Sequence, residues 1–466
     1  MAAAVTARRH GLEVMLIDDQ PGPGGQIWRS VEKAARRDDI LGPSYVEGRA
    51  VAEAFRASGV IYLPGAQLWQ IERGFRAFVS RDRLAQVVEA KAVILATGAQ
   101  ERPVPFPGWT LPGVLTVGAA QILLKNAGQI PTGSVWIAGS GPLPLLYLVQ
   151  FLRAGGQIAG YLDTTPTGQW RAALRHLPRA LRASGDLVKG LGWMAKLRTS
   201  KTPIIRGVIE IEALGDERIG SLRYRTRDDA IATVEANTLL VHEGVVPNLH
   251  AALSLDCAVA WNSAQDCYAP IVDSWGESSQ VDLFIAGDGA GIAGAKAAQL
   301  RGELAALRVA VKLGYTSEQA VAAAAAPVRR RLHRELAVRP FLNALFKPRP
   351  QVFAPADETI VCRCEEITAG EIRALAAVGR PGPNQIKAAT RAGMGPCQGR
   401  QCGYTVNRIL GAAQNRPLSE VGFFHVRPPL KPVTIGELAS LDQSATAGPK
   451  SEPHDRGVTV NQGQAE

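Results

Sequence analysis

Hydrophobic and polar positions in the first 130 residues alternate between segments of helical period and segments of strand period. Residues 2–10 predict a helix, and Gly11 stands where a glycine commonly follows a helix C-terminus. Apolar runs predict buried strands over residues 13–18 and 91–95, and short alternating runs over residues 60–88 predict a small antiparallel insert. This order of elements is typical of an α/β domain.

A second α/β unit follows the first. Residues 135–138 predict a strand that leads through a glycine turn into a helix, and a further strand ends at Asp163, which makes one βαβ unit. Residues 164–190 are polar and basic, and no element is predicted there. The later predicted elements are strands over 203–247 and 281–286 and a helix over 293–312.

The character of the chain changes near residue 322. An alanine run, an arginine-rich stretch and a KPRP segment predict a linker helix and loop over residues 321–354. A compact segment that contains cysteines spans residues 355–428. From about residue 440 the chain is polar and rich in Gly, Pro, Ser and Gln, so we expect residues 440–466 to be disordered.

Composition and charge narrow the class of protein. The 466 residues are 46% hydrophobic and 20% charged, which suffices for an extensive core. No run of about 18 apolar residues predicts a membrane-spanning helix, and no secretory signal is evident, so we expect a cytoplasmic protein. A net charge of +10 leaves open an acidic partner or peripheral association with the inner membrane. No basic run is interleaved with aromatic residues, which argues against a nucleic-acid partner.

Two pairs of cysteines carry the strongest chemical signal. Cys362 and Cys364 form a C-x-C pair, and Cys397 and Cys402 form a C-x4-C pair after 32 intervening residues. Four thiolates are the ligands that a [2Fe–2S] or [4Fe–4S] cluster needs. The alternatives are a structural zinc site, for which C-x-C spacing is unusual, or inert buried thiols. We therefore predict an iron–sulfur site.

The residues around these cysteines favour an anionic cluster. Cys402 directly precedes an apparent helix, whose N-terminal dipole stabilises negative charge. Glycines allow backbone amides to approach the cluster, and arginines add positive charge: Gly393, Gly395, Gly399, Arg363 and Arg400.

The other cysteines and the histidines give weaker signals. We interpret Cys257 and Cys267 as ordinary buried thiols, because they do not form a C-x-x-C redox pair. His242 ends a predicted strand near the expected nucleotide face and is a candidate ligand contact. His250 and His425 receive no assignment.

One glycine turn opens the βαβ unit. Gly139 and Gly141 match the first two glycines of G-x-G-x-x-G, a turn that places a diphosphate at a helix N-terminus. Pro144 replaces the third glycine, and Asp163, 24 residues after Gly139, suits a ribose hydroxyl. A degenerate, empty nucleotide fold is the alternative, so NAD(P), another nucleotide or no ligand stays open here.

Further features of the first unit suit FAD. An acid at a strand end suits a ribose, a glycine loop lets the backbone approach a flavin, and a carboxylate at a helix N-terminus suits a ribityl chain. The candidate residues are Asp18, Gly24, Gly25, Gln26, Ala96, Thr97, Gly98, Gly287 and Asp288. Their order around an inserted βαβ unit is a specific pattern.

These motifs identify a resemblance. The chain resembles the FAD-containing α (or A) subunits of bacterial amino-acid and opine dehydrogenases, a family that includes opine oxidase, D-hydroxyproline and proline dehydrogenases and the cyanide-forming glycine dehydrogenase. The matching segments are PGPGGQIWR at 21–29, ILATGAQERPVPFPGWTLPGV at 94–114, IAGSGPLPLL at 137–146, IAGDGAGIAGAKAAQLRG at 285–302 and the CRCE…GPCQGRQC cluster. The resemblance covers about residues 2–430.

The resemblance implies an α/β fold with two dinucleotide-binding, Rossmann-like domains of the disulfide-reductase-like flavoprotein type. It implies an FAD domain from residues 1–120 and 270–320, a second NAD(P)-type domain over 121–269, and a small helical [2Fe–2S] domain over 355–428, like bacterioferritin-associated ferredoxin. It also implies that a second flavoprotein subunit carries the amine-oxidising site, and it leaves open a small ferredoxin-like subunit.

The sequence departs from the family at its beginning. The family starts with a strand and a glycine loop that holds the FAD diphosphate, whereas Met1 here falls just after that loop. We therefore expect a start placed at an internal methionine, a fragment, or a variant without FAD.

The residues leave three functions open. The first is an electron-transferring subunit in which FAD handles electron pairs and a [2Fe–2S] cluster passes single electrons to an acceptor. The second is a self-contained NAD(P)H-dependent reductase, and the third is a non-enzymatic scaffold for the cluster. No Ser/His/Asp arrangement or pair of carboxylates stands out, and we name no catalytic base.

Overall fold

The structure is a computed structural model, and it describes residues 1–33, 37–379 and 381–446. Its first part supplies one half of a nucleotide-binding fold and an antiparallel insert. The elements in chain order are α1 (Ala2–Arg9), β1 (Met15–Asp18), α2 (Asp38–Leu41), α3 (Pro43–Arg56), β2 (Ile61–Pro64), β3 (Gln67–Ile71), β4 (Arg76–Arg81), β5 (Leu84–Glu89), β6 (Val93–Leu95) and β7 (Ala99–Glu101).

The parallel strands of this first half form two separate pairs. β1 pairs with β2, and β6 pairs with a later strand, Leu283–Ile285. Ile17, Leu95 and Ile285 belong to one apolar cluster, so the two pairs share a core. No described strand pairs with the second edge of β1 or of β6. The antiparallel insert predicted over residues 60–88 is confirmed only for β3, β4 and β5, because β2 pairs in parallel with β1.

The second half is built around a parallel sheet whose strands are connected mainly by helices. Its elements are β8 (Val114–Thr116), α4 (Val117–Ala127), β9 (Val135–Gly139), α5 (Pro142–Arg153), β10 (Gly160–Asp163), α6 (Gln169–Leu174), α7 (Leu177–Ala180), α8 (Ser184–Thr199), β11 (Ile204–Arg206), β12 (Val208–Leu214), β13 (Ser221–Thr226), β14 (Ile231–Glu235) and β15 (Thr238–His242).

Five of these strands form one parallel sheet in the order β11-β10-β9-β15-β8. Every residue of β9 and β15 is buried, because apolar side chains cover both faces of the sheet. The edge strand β8 belongs to this sheet, so the second domain includes residues that precede its predicted start at residue 121. β12, β13 and β14 form an antiparallel sheet beside it.

Residues 164–190, for which no element was predicted, lie largely in α6, α7 and α8. Ala173 and Ala180 are buried there and pack with Val338 and Phe341 from much later in the chain. Because these tertiary contacts bury small residues within a basic sequence, the local hydrophobic pattern did not reveal the helices.

The chain then returns to the first half. The returning elements are β16 (Val245–Pro247), α9 (His250–Ser254), β17 (Val259–Asn262), β18 (Cys267–Pro270), β19 (Leu283–Ile285) and α10 (Ala295–Lys312). β16 pairs antiparallel with β7, and β19 completes the parallel pair with β6. This crossover places the β6 and β19 carboxyl ends side by side.

The last part consists of helices and one short hairpin. Its elements are α11 (Glu318–Leu336), α12 (Arg339–Leu345), β20 (Ile360–Cys362), β21 (Ile367–Thr368), α13 (Ala369–Ala377), α14 (Pro383–Thr390), α15 (Gly403–Ala413), α16 (Leu418–Val421) and α17 (Ile435–Thr446).

Two predictions for this part need correction. Residues 321–354, predicted to be a linker, are packed against the rest of the fold. Val321, Ala325 and Val328 of α11 are buried against α10. Arg349 forms a buried ion pair with Glu243. The disordered tail predicted over 440–466 is wrong for residues 440–446, which lie in α17.

α17 has a local and a tertiary reason to form. The Thr434 hydroxyl and Glu437 carboxylate bond reciprocally to the backbone at its start, which is a capping box. The Ser440 hydroxyl accepts from the Ala85 amide, so the helix is also tied to β5. Residues 447–466 lie outside the described residues.

Candidate cofactor sites

The four cysteines of the two predicted pairs converge in the C-terminal part. Cys362 ends β20, and Cys402 is the N-cap residue of α15. The Cys402 thiol donates a hydrogen bond to the Cys362 sulfur, and the Cys364 and Cys397 side chains also contact each other. The hydrogen bond from Cys402 is the main cause that lowers the pKa of Cys362 to about 6. The sequence prediction that these thiols share one site therefore agrees with their geometry.

The backbone around the thiols suits a sulfur-rich cluster. The amides of Gly393, Glu365 and Cys364 point at the Cys362 sulfur and contribute to lowering its pKa. An ideal Cβ on Gly395 would lie 2.2 Å from the Cys364 Cβ, so only glycine permits this close approach. The site thus provides four cysteine sulfurs and several N–H donors, the environment of a protein-bound iron–sulfur cluster.

Several cations surround the cysteines. The Arg400 charge interacts with the Cys397 side chain, and the Lys387 charge interacts with Cys402 and with Arg427. Arg363 is exposed, and its guanidinium donates to the Thr110 carbonyl at 3.5 Å. The sequence identified Arg400, but Lys387 was missed because nothing in its local sequence indicates that α14 places it near Cys402.

The thiol contacts at this site are pairwise. Within the described ranges, no group of three or more His, Cys, Asp or Glu side chains is arranged to hold one metal ion. The close contacts instead join the thiols in two pairs, Cys362 with Cys402 and Cys364 with Cys397. Four cysteine sulfurs in two pairs match the ligand set of a [2Fe–2S] cluster.

The candidate flavin contacts lie at strand ends in the first half. Asp18 ends β1, accepts from the Gln20 amide at 3.0 Å and accepts from the Tyr62 hydroxyl at 3.4 Å. Burial is the main cause that raises the pKa of Asp18. An acid held in this way at a parallel strand end is typical of a ribose contact.

Two candidate turns meet at the paired ends of β6 and β19. An ideal Cβ on Gly289 would lie 3.4 Å from the Thr97 hydroxyl and 3.6 Å from the Gly98 amide. The Asp288 Oδ1 atom accepts from the amides of Ala293 at 2.8 Å and Gly294 at 3.0 Å, which organises the start of α10. The structure therefore brings Ala96-Thr97-Gly98 and Gly287-Asp288 together, as the sequence predicts.

The backbone at Gly98 leaves room for a planar group. Its φ is +65°, and an ideal Cβ there would meet no atom within 4 Å. An open backbone face at a strand end allows a flavin ring to approach closely. The residues present therefore fit FAD.

The loop that contains Gly24, Gly25 and Gln26 is fixed by a buried lysine that sequence reasoning missed. Lys125 of α4 donates to the Gln26 carbonyl at 2.9 Å and to the Gln121 side chain at 2.8 Å. Gln121 donates onward to Gln150 of α5 at 2.9 Å. This network joins the candidate flavin loop to helices of the second half.

Lys125 provides a pH-dependent prediction. Burial lowers its pKa to about 7 in the folded protein, whereas an ordinary lysine has a pKa near 10.4. The unfolded chain therefore binds more protons between these values, and stability rises with pH. We expect the free energy of unfolding of wild type, relative to Lys125→Met, to increase by about 1.4 kcal/mol per pH unit from pH 7 to 10.

Denaturant titrations at several pH values measure this difference. The exposed Lys91 supplies the control, and Lys91→Met should differ from wild type by an amount that does not change over that range. A Lys125→Met difference that is equally independent of pH would contradict the prediction.

The second glycine turn is formed as predicted, and it lies beside an unpredicted hydrogen bond between two side chains. The Ser140 amide donates to the His242 carbonyl at 3.1 Å, so Gly139 and Gly141 lie against the end of β15. His242 Nδ1 contacts Glu101 Oε1 at 2.7 Å, and both side chains are largely buried. The sequence identified His242, but it gave no sign of Glu101 because the two residues are 141 positions apart.

Asp163 lies at the end of β10, where its carboxylate accepts from the Thr165 amide at 3.0 Å. The adjacent Thr164 hydroxyl is buried, and it has no hydrogen-bond partner among the described residues. A polar strand end with an unpartnered buried hydroxyl is consistent with a nucleotide site beside the glycine turn.

Family comparisons agree with both cofactor sites. Residues 1–314 match the pyridine nucleotide-disulphide oxidoreductase family, and residues 360–412 match the BFD-like [2Fe-2S] binding domain. The first match indicates FAD and the second indicates a [2Fe–2S] cluster. The predicted fold class and both predicted cofactors are confirmed.

Similar proteins extend over almost the whole chain. The opine oxidase A chain of Rhizobium meliloti, a subunit of its enzyme, is 41% identical over 96% of this chain and 86% of that protein, and its counterpart from Agrobacterium tumefaciens is 42% identical over 96% and 90%. The HcnB subunit of hydrogen cyanide synthase from Pseudomonas aeruginosa is 31% identical over 96% of this chain and 97% of that protein.

A solved structure shares the fold. L-proline dehydrogenase from P. horikoshii superposes with a TM-score of 0.69 at 19% identity, over 94% of this chain and 76% of that chain. Among the helices that the structure describes, none has the length and apolar character needed to traverse a bilayer.

Proposed function

Because this chain belongs to the pyridine nucleotide-disulphide oxidoreductase family, within the group that includes the opine oxidase A subunits, we propose that it is the electron-transfer subunit of a multisubunit dehydrogenase. The enzyme oxidises a small amino acid, imino acid or opine. The chain itself is a flavin-dependent oxidoreductase that carries FAD and a [2Fe–2S] cluster.

One observation carries the proposal: a flavin-type turn and a four-thiol site occur on one chain, and the strand that follows the turn is hydrogen-bonded to the cysteine loop. Gln100, two residues after Gly98, donates to the Arg400 carbonyl between Cys397 and Cys402 at 2.9 Å. FAD supplies chemistry with electron pairs, whereas a [2Fe–2S] cluster carries electrons singly. Their proximity suits a protein that converts one kind of electron transfer into the other.

The residues of the chain have distinct proposed roles. Asp18 holds a ribose of FAD, Asp288 orders the helix start beside the ribityl chain, and Gly98 lets the flavin approach the backbone. The Gly24-Gly25-Gln26 loop borders the same site. Cys362, Cys364, Cys397 and Cys402 ligate the cluster, and the buried packing around Cys402 excludes water from that side.

We place substrate oxidation on a second flavoprotein subunit. The relatives named above are themselves described as subunits, which supports a partner chain. The domain division expected from the sequence fits this role, with one half for FAD, a second nucleotide-type half and a separate cluster domain. A small ferredoxin-like subunit is a further candidate partner.

A self-contained NAD(P)H-dependent reductase is the second candidate. The observation that favours it is the formed Gly139–Gly141 turn, with Asp163 and the His242–Glu101 pair beside it. In that case nicotinamide nucleotide would bind the second half and reduce the flavin directly.

Anaerobic flavin spectroscopy distinguishes the two functions. The purified chain is mixed with NADH, with NADPH, or with octopine or proline, and flavin absorbance is followed with and without the flavoprotein subunit that copurifies with it. We expect bleaching only in the joint presence of the second subunit and an amine substrate. Rapid bleaching of the isolated chain by NADH or NADPH would instead identify the self-contained reductase.

A further inference from the structure

The strand pair β7–β16 lies between the two cofactor sites. β7 begins directly after Gly98, and β16 leads through Asn248 into α9. The Asn248 amide donates to the Gly98 carbonyl at 3.0 Å, and the Thr97 hydroxyl donates to the Asn248 carbonyl at 3.1 Å. The candidate flavin turn is therefore fixed to the segment that begins α9.

Two side chains from this strand pair and helix reach the loop between Cys397 and Cys402. Gln100 Nε2 donates to the Arg400 carbonyl at 2.9 Å, and His250 Nε2 lies 2.8 Å from the Gln398 carbonyl. The loop places Gln398 in a left-handed conformation, with φ at +52°. Two external donors thus hold a loop that is otherwise strained at Gln398.

The state of His250 follows from its surroundings. Burial, reinforced by the Arg400 charge, lowers its pKa to about 4, so the ring is neutral at pH 7. A neutral imidazole carries one N–H group. Because a carbonyl oxygen can only accept, that proton is assigned to Nε2, and His250 is a fixed donor to the loop.

The junction is closely packed. Leu249, Tyr404 and Phe423 pack around Gln100, His250 and Arg400, and no water-sized space remains among them. Leu249, His250 and Tyr404 are buried, whereas Gln100 and Arg400 are partly exposed. The hydrogen bond of His250 therefore lies in the less solvated part of the junction, where such bonds are electrostatically stronger.

We infer that His250 and Gln100 are positioning residues for the [2Fe–2S] cluster, which hold the Cys397–Cys402 loop against the strand pair that carries the flavin turn. The inference deepens the proposed function and rests on the proposed ligand role of Cys397 and Cys402. Each N–H group offsets the negative end of a carbonyl dipole in this loop. Loss of either donor would leave that negative end uncompensated beside the cluster and so disfavour the additional negative charge of the reduced state.

The test compares His250→Phe and Gln100→Leu with a matched control. Gln67→Leu removes a similar bond, in which Gln67 Nε2 donates to the Pro432 carbonyl at 3.0 Å, but this bond does not involve the cysteine loop. His250→Gln retains a side-chain N–H donor and serves as the conservative variant. Each full-length protein is assayed for iron, sulfide and FAD, and for the EPR spectrum and midpoint potential of the cluster.

We expect iron, sulfide and FAD to be retained in all four variants. Loss of one hydrogen bond should lower the equilibrium constant for reduction of the cluster by up to about fivefold. For a one-electron couple, this corresponds to a midpoint potential about 40 mV more negative. The shift and altered g-values should appear in His250→Phe and Gln100→Leu, be partly reversed in His250→Gln, and be absent in Gln67→Leu.

Wild-type EPR spectra and potentials in both His250→Phe and Gln100→Leu, with full iron content, would overturn the inference. If His250→Phe fails to fold, Gln100→Leu decides by the same criteria. Failure of the proposed ligand assignment is recognised separately, because iron would then survive replacement of the cysteines themselves.

Discussion

Replacement of Cys402 by serine is expected to abolish the cluster. Cys402 is fully buried at the start of α15, and its thiol contacts Cys362. A serine hydroxyl is a harder and far less acidic ligand than a thiol, so it does not replace a thiolate on iron. Iron and acid-labile sulfide should fall from two each per chain to near zero, with loss of the cluster's visible absorption.

Cys267 supplies the matched control. It is also fully buried, and burial raises the pKa of its thiol to about 11, which keeps it protonated at neutral pH. Cys267→Ser therefore perturbs packing to a similar degree without removing a proposed ligand. We expect full iron content in Cys267→Ser, and equal iron in the two variants would contradict the ligand assignment.

Replacement of Gly98 by leucine is expected to remove FAD while the cluster remains. The new side chain would enter the open space beside the flavin turn. Overpacking of about 1–3 kcal/mol corresponds to roughly a five- to 150-fold loss of affinity. FAD released by denaturation should be quantified by its absorbance, together with iron from the same samples.

Gly74 separates this effect from backbone strain. Its φ is +82°, and it likewise has no atom within 4 Å of an ideal Cβ, but it lies in the turn between β3 and β4. A leucine at either position incurs about 1–2 kcal/mol for the left-handed conformation. Gly74→Leu should retain FAD, so equal losses in both variants would show that strain rather than contact is responsible.

The parts of the fold that were predictable have strong local signals. The strand β9, its glycine turn and the strand that ends at Asp163 follow one another within 30 residues, so hydrophobic pattern and turn chemistry agree over a short range. The metal site at the cysteine pairs was equally predictable from the sequence, because few structures other than a metal site need thiols at that spacing.

The parts that were not predictable depend on contacts between distant residues. The local sequence predicts that Lys125 lies on an exposed helix surface, and only the fold shows that it is buried against Gln26. His250 received no assignment because its partner, Gln398, is 148 positions away. The same applies to β2, whose parallel pairing with β1 depends on the crossover through α3 rather than on its own sequence.

These differences have a common physical origin. Local propensity determines which short elements form, whereas burial of a polar side chain is stable only when a specific distant group satisfies it. The segment that joins the two cofactor sites consists of such pairs, namely Gln100 with Arg400 and His250 with Gln398. The connection between the cofactors was therefore visible only in three dimensions.

A single chain that carries both FAD and a [2Fe–2S] cluster has a composition that can be measured. The decisive experiment is an anaerobic visible spectrum of the purified chain, followed by quantification of flavin, iron and sulfide after denaturation. We expect one FAD, two irons and two sulfides per chain, with flavin and cluster bands that both bleach on reduction. Iron without flavin, or zinc in place of iron and sulfide, would contradict this expectation.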